Sequence, residues 1–180
     1  EIFTATNDGS ASCGASEGSP DVWFRYVATA DGRIVANSVG SDYDTVLSVH
    51  DPTINGCPGE ESDEITCNDD CVDLQSCVGF DVISGNEYLI RMSGFDGETG
   101  NFVLNVAPAA GISGTVTDAG TSAPIPFLEV DIFNSTGGVV SYGYTDAAGN
   151  YTADNLIEGT YFATTNSYGE YIDELYDNIV

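Results

Sequence analysis

Gly40-Ser-Asp-Tyr-Asp-Thr-Val-Leu-Ser-Val-His-Asp51 runs into a loop bearing Cys57 and then into Cys67-Asn-Asp-Asp-Cys71. Thr45, Leu47 and Val49 alternate, the period-two signature of a strand with one apolar face. An acidic loop follows that holds cysteines at disulfide spacing. A short strand leading into a cysteine-bearing loop points to a secreted, loop-decorated β-sandwich.

The same pattern extends outward in both directions. Val22, Phe24 and Tyr26 alternate, as do Val78, Phe80 and Val82, then Tyr88, Ile90 and Met92, then Phe102, Leu104 and Val106. Asp31-Gly32, Ser84-Gly85-Asn86, Asp96-Gly97 and Thr99-Gly100 bound these runs with turn chemistry. No segment carries helical periodicity over a useful length. Beyond Gly111, Ile112, Gly114 and Val116 alternate, then Leu128, Val130 and Ile132, and Val139 to Thr145, Thr160 to Thr165 and Tyr171 to Leu175 read as further strands. The fold class expected is all-β, two tandem β-sandwiches.

Charge and cysteine divide the chain at the same place. Of 29 carboxylates, 19 precede Ala110 together with all three bases, Arg25, Arg33 and Arg91; the remaining 10 follow it with no base, and there is no lysine. A formal charge of -26 repels phosphate backbones and anionic lipid, so no nucleic-acid partner and no membrane insertion are expected, whereas metal cations are attracted. The 42% hydrophobic content is too high for a disordered acidic tail. Nothing approaches an 18-residue apolar run. Glu1 reads as a mature end after cleavage, or as the first ordered residue. Cys13, Cys57, Cys67, Cys71 and Cys77 all lie in the first part. Their spacing and acidic neighbours disfavour a zinc thiolate site and favour disulfides. The preferred pairing is Cys57–Cys67 and Cys71–Cys77, two short loops with Cys13 unpaired, other connectivities remaining open. The boundaries expected are an N-terminal arm over 1–12, a disulfide-bearing sandwich over 13–108 and a second sandwich over 110–180.

Asp21-Val-Trp-Phe-Arg-Tyr26, Asp44-Thr-Val-Leu47, Cys67-Asn-Asp-Asp-Cys71, Gly85-Asn-Glu-Tyr-Leu-Ile-Arg91 and Gly100-Asn-Phe-Val-Leu-Asn-Val106 occur in this order. Over residues 13–106 the chain thereby resembles the bacterial pre-peptidase C-terminal domain. The resemblance implies a jelly-roll-like sandwich appended to secreted enzymes or surface proteins, one that binds or assembles rather than catalyses. Cysteine-rich members place a cysteine where this chain has Val39, so the partner that such members would offer Cys13 is missing. Gly114-Thr-Val-Thr-Asp118, Ala123-Pro-Ile-Pro126, Thr145-Asp-Ala-Ala-Gly-Asn-Tyr-Thr152 and Leu156-Ile-Glu-Gly-Thr-Tyr161 resemble a carboxypeptidase-regulatory-like domain, a transthyretin-like or immunoglobulin-like sandwich. In that family a final strand normally follows the point where this chain stops, so the second sandwich is expected to lack it.

The residues offer little catalytic chemistry. The only histidine, His50, projects opposite to Leu47 and Val49 and reads as an exposed strand histidine. Cys13 has no context for a thiol nucleophile, and without lysine a Walker-type phosphate loop is excluded. Loop carboxylates on small sandwiches lack the burial that tunes a catalytic acid. No enzyme is expected. Calcium is the better chemistry, because it takes six to eight oxygens from carboxylates, carbonyls and water. Asp42, Asp44, Asn68, Asp69 and Asp70 are the candidate ligands. Asp146-Ala-Ala-Gly-Asn150 lacks the ligand alternation of an EF-hand and reads as a hairpin turn. Trp23 reads as core or edge packing.

Seven of ten tyrosines fall between Tyr142 and Tyr176. Tyr168, Tyr171 and Tyr176 are candidate contacts. Ile2 and Phe3, in a β-prone arm, are candidates to complete a neighbour's sheet and so build a filament. Asn134 and Asn150 head glycosylation sequons on predicted turns. The expected function is a structural module of a secreted bacterial surface protein that assembles with copies of itself or with another surface protein. The alternative is a calcium- or carbohydrate-binding accessory module of a larger secreted enzyme.

Overall fold

Alternating apolar residues with β-branched and aromatic side chains fix the strands, and the turns between them fix their order. The computed structural model describes residues 5–14, 16, 18–169, 172, 173 and 175–179, the last five by backbone alone. It is all-β and divides into two compact units, Glu1–Pro108 and Ala109–Val180. Ile2, Phe3 and Tyr171 lie outside the described residues, as does the side chain of Tyr176.

The first unit contains β1 (Asp21–Val27), β2 (Gly32–Asn37), β3 (Thr45–His50), β4 (Glu64–Asn68), β5 (Cys77–Val82), β6 (Glu87–Gly94) and β7 (Asn105–Pro108). Two antiparallel sheets, ordered β1-β6-β3-β4 and β5-β2-β7, form the sandwich. Its core joins Leu47, Val49, Ile90 and Met92 of one sheet to Ile34, Ala36, Val78 and Phe80 of the other, with Phe24, Tyr26, Phe102 and Leu104 packed against it. Burying one such side chain stabilises the fold by about 1.5–3 kcal/mol.

β3 is buried along its whole length. Leu47 and Val49 face the core, while Val46, Ser48 and His50 face outward, where solvent would be expected. Val46 is covered instead by Gly14 of the N-terminal segment, and His50 by the loop from Gly59 to Asp63 and by Trp23. Arg91, wholly buried on the outer face of β6, pins that segment. Its Nε donates to Asp21 Oδ2 at 2.7 Å, and its terminal nitrogens donate to Ser16 Oγ and to the carbonyls of Gly9 and Ser16. Asp21 N–H donates to the Thr6 carbonyl at 2.9 Å. The described start of the arm therefore lies on its own sheet.

The second unit contains β8 (Ala110–Thr115), β9 (Glu129–Phe133), β10 (Val139–Tyr144), β11 (Asn150–Leu156), β12 (Tyr161–Asn166) and β13 (Leu175–Ile179). They form a four-stranded sheet, β10-β9-β12-β13, and a two-stranded one, β11-β8. Ile112, Val130, Ile132, Ala153, Leu156, Tyr161 and Ala163 are its core. Two sequence expectations shift here. The last strand is Leu175–Ile179 rather than Tyr171 to Leu175, because Ile172 is exposed and Asp173 accepts the Ser167 N–H in the preceding turn. Asp146 to Asn150 is not a hairpin turn, since β10 and β11 belong to different sheets. Its Asp146 carboxylate accepts the N–H groups of Ala148 and Asn150, which holds the crossing loop and keeps that carboxyl below its usual range.

Candidate metal centre

Strand register assembles the acidic site. Antiparallel pairing of Leu47 with Asn68 places the entrance of β3 beside the exit of β4. Asp44 precedes the one and Asp69-Asp70 follow the other, so all three converge. Each offers a carboxylate oxygen within 4.8 Å of the others. Asp44 Oδ1 and Asp69 Oδ1 are buried and have no hydrogen-bond donor among the described residues. Burial, then the charges of Asp69, Asp70 and Glu98, push the Asp44 carboxyl above its ordinary value; burial and then Asp70 do the same to Asp69. Like charges gathered at buried oxygens without donors are what a bound cation would relieve.

The other two expected ligands are engaged elsewhere. Asp42 accepts from the Asn101 N–H at 2.7 Å and its side-chain amide at 2.9 Å, which lowers its pKa. Asn68 spends its Oδ1 on the Cys77 N–H at 2.9 Å and donates through Nδ2 to the Asp70 carbonyl.

What holds the three aspartates was not marked in the sequence. Buried Ser38, Thr45 and Ser76 share hydroxyl contacts beneath the loop, and Ser76 Oγ donates to the Asp69 carbonyl at 2.6 Å. Glu98 accepts the Asp44 N–H at 3.1 Å. Gly14, at a φ of +65°, lies so close that a Cβ there would come within 3.0 Å of Asp69 Oδ1 and 2.5 Å of Val46 Cγ2. Isolated serines and a single glycine carry no spacing signal, so only the packing reveals them.

The disulfides are Cys13–Cys67 and Cys71–Cys77, and Cys57 is an exposed free thiol. The expected Cys57–Cys67 bridge is thus corrected. Cys67 pairs opposite Ser48 and so faces outward, where the Arg91-pinned segment carries Cys13 across the sheet. Proximity in sequence favoured Cys57; the sheet face decided for Cys13.

His50 is a second correction, being wholly buried rather than exposed. Its Nε2 lies 2.7 Å from Ser48 Oγ and its Nδ1 2.8 Å from Asp63 Oδ1. The connectivity is that of a nucleophile–base–carboxylate triad. Ser48 and His50 are both 0% exposed, however, and Trp23 packs edge-on against the ring at 5.0 Å. No substrate carbonyl reaches Ser48, so the trio acts as a buried polar layer, in which Asp63 Oδ1 also accepts the Glu60 N–H while Asp63 Oδ2 has no donor among the described residues. Trp23 also donates to Asp8 Oδ1 and packs under Gly9, an outer-face role.

The remaining candidates lie in the second unit. Asn134 Oδ1 accepts from Thr136 and Gly138 in the β9–β10 turn, while Asn150 accepts from Thr115 Oγ1 and donates to Asp146. Tyr168 is exposed, its hydroxyl donating to Glu129 Oε2 at 2.6 Å. No curated protein matches the chain. Residues 111–171 match the family model of the carboxypeptidase regulatory-like domain, a non-catalytic module of immunoglobulin-like fold, and it is to this family that the second unit is similar.

Proposed function

We propose that the chain is a non-catalytic module of a secreted or surface protein, and that its first unit takes up one calcium ion between Asp44, Asp69 and Asp70. One observation carries this reading: three carboxylates share a 4.8 Å neighbourhood in which the buried Oδ1 atoms of Asp44 and Asp69 have no donor among the described residues. Hard oxygen ligands on loops held by a disulfide and a buried hydroxyl cluster suit calcium, with water completing the shell. The secreted setting is supported by two disulfides. The resemblance of the first unit to the pre-peptidase C-terminal domain rests on its motifs, and an accessory or structural role agrees with the regulatory-like match of the second unit.

Calorimetric titration of calcium into the chain at fixed ionic strength tests the site. A single saturable event is expected, lost in Asp69→Asn/Asp70→Asn. At a hundred times the dissociation constant, calcium would add about 2.7 kcal/mol of stability. If sodium at matched ionic strength reproduces the whole thermal shift, the carboxylates are merely screened and the proposal fails.

A further inference from the structure

The second unit carries a groove of about 470 Å³ bordered by Phe127, Leu128, Glu129, Tyr144, Asn166 and Tyr168. We propose that it binds a cationic side chain, the ammonium of lysine or the guanidinium of arginine, presented by a basic segment of a partner protein. Phe127 and Tyr168 are 79% and 82% exposed, and Tyr144 and Tyr142 are 58% and 59% exposed. Four large rings held in water on one unit mark a recognition surface rather than leftover core. Phe127 and Tyr168 also adopt left-handed backbone, at φ of +58° and +53°, a region that bulky residues rarely occupy.

Register places carboxylates among the rings. Tyr144 pairs with Glu129, which pairs on its other side with Asn166; Tyr142 likewise pairs with Asp131, which pairs with Thr164. Val130 and Ile132 alternate inward, so Glu129 and Asp131 face outward with the tyrosines. Tyr168 donates to Glu129 Oε2, and the Asn166 amide donates to Asp131 Oδ2 at 3.3 Å. Both contacts are with neutral donors. The three arginines all precede Ala110, and they bond Glu87, Asp81 and Asp21. Glu129 and Asp131 therefore have no cation of their own unit to answer them.

That combination selects a ligand by charge. The faces of Tyr and Phe attract a cation through the ring quadrupole, and a carboxylate at the same spot adds a charge-assisted hydrogen bond. The methylenes of lysine or arginine would lie along the rings. A neutral sugar could stack on the rings, but covering the Glu129 carboxylate with it would strip its water without supplying countercharge. An anion would be repelled.

The groove belongs to the second unit and the calcium site to the first, so either proposal can fail alone. Amide chemical shifts of the full chain are followed at 150 mM salt, about the physiological ionic strength, as hexalysine peptide is added with and without chelator. Saturable shifts are expected around Phe127, Glu129, Tyr144, Asn166 and Tyr168, unchanged by chelation. Because Glu129→Gln is isosteric and Phe127 is exposed, Glu129→Gln and Phe127→Ala both leave the fold intact, and each is expected to weaken binding about tenfold, the loss of one charge-assisted or cation–π contact. Shifts spread over the acidic surface and unaffected by either variant would mean diffuse charge attraction and overturn the proposal. So would binding of cellohexaose, tested in parallel, in place of hexalysine.

Discussion

Asp69 shows how one residue contributes to the pH response of the first unit. Its carboxyl is pushed above the ordinary value of 3.8 by burial and by Asp70. A carboxyl raised on folding holds its proton more tightly in the folded state. Its stabilising contribution is therefore present below the unfolded value and is lost as pH rises through the raised folded value. With chelator, Asp69→Asn is expected to melt higher than the parent at neutral pH. The gap should close as pH falls below 3.8, where the parent is protonated in both states. With saturating calcium the order reverses, since the variant has lost a ligand. Melting curves across pH with and without calcium check both signs. A variant less stable than the parent under both conditions would mean that Asp69 is only a loop-capping residue. Arg91 is the opposite case: wholly buried, but bonded to Asp21, Ser16 and Gly9, it ties the N-terminal segment to the sheet. Arg91→Met would leave Asp21 buried without its cation, which typically costs about 3–5 kcal/mol. Urea denaturation reads the loss directly, and adding Asp21→Asn should recover part of it.

At the scale of elements, the outer face of the central strands β6 and β3 holds a buried layer with Arg91, Ser93, Ser48 and His50, and the Cys13–Cys67 bridge ties the N-terminal segment to neighbouring β4. The bridge spans 54 residues, whereas Cys71–Cys77 spans 6. On chain-entropy grounds the long loop contributes about 4 kcal/mol and the short one about 2 kcal/mol. Paired alanine replacement of Cys13 and Cys67 should lower the denaturation midpoint more than replacement of Cys71 and Cys77. Cys57→Ala should change nothing, the thiol being exposed and unbridged. A large loss from Cys57→Ala would instead restore the pairing that the sequence favoured.

For the whole molecule, the two units draw on different sources of stability. Every disulfide and the carboxylate cluster lie before Pro108, while the second unit has a small core of Ile112, Val130, Ile132 and their neighbours. Calorimetry of the intact chain is expected to show two transitions. Reductant should lower one of them, and calcium should raise that same one, leaving the other in place. Equal displacement of both transitions would show that the units unfold as one.

The sequence by itself determined the all-β class, because period-two alternation and turn residues are local properties that each strand carries in its own residues. It also marked Asp44, Asp69 and Asp70, since loop carboxylates beside strand ends are visible without coordinates. It did not determine which side of a strand is covered. His50 and Ser48 alternate as outward residues should, yet both are buried, the His50 ring by the loop from Gly59 to Asp63 and by Trp23. The N-terminal segment held by Arg91, not sequence proximity, brings Cys13 to Cys67. Likewise, register alone gathered Tyr144, Glu129 and Asn166, residues that no spacing connects, into one row. Alternation tells each side chain which way to point; what waits on that side is decided by chain distant in sequence, and so by the tertiary fold alone.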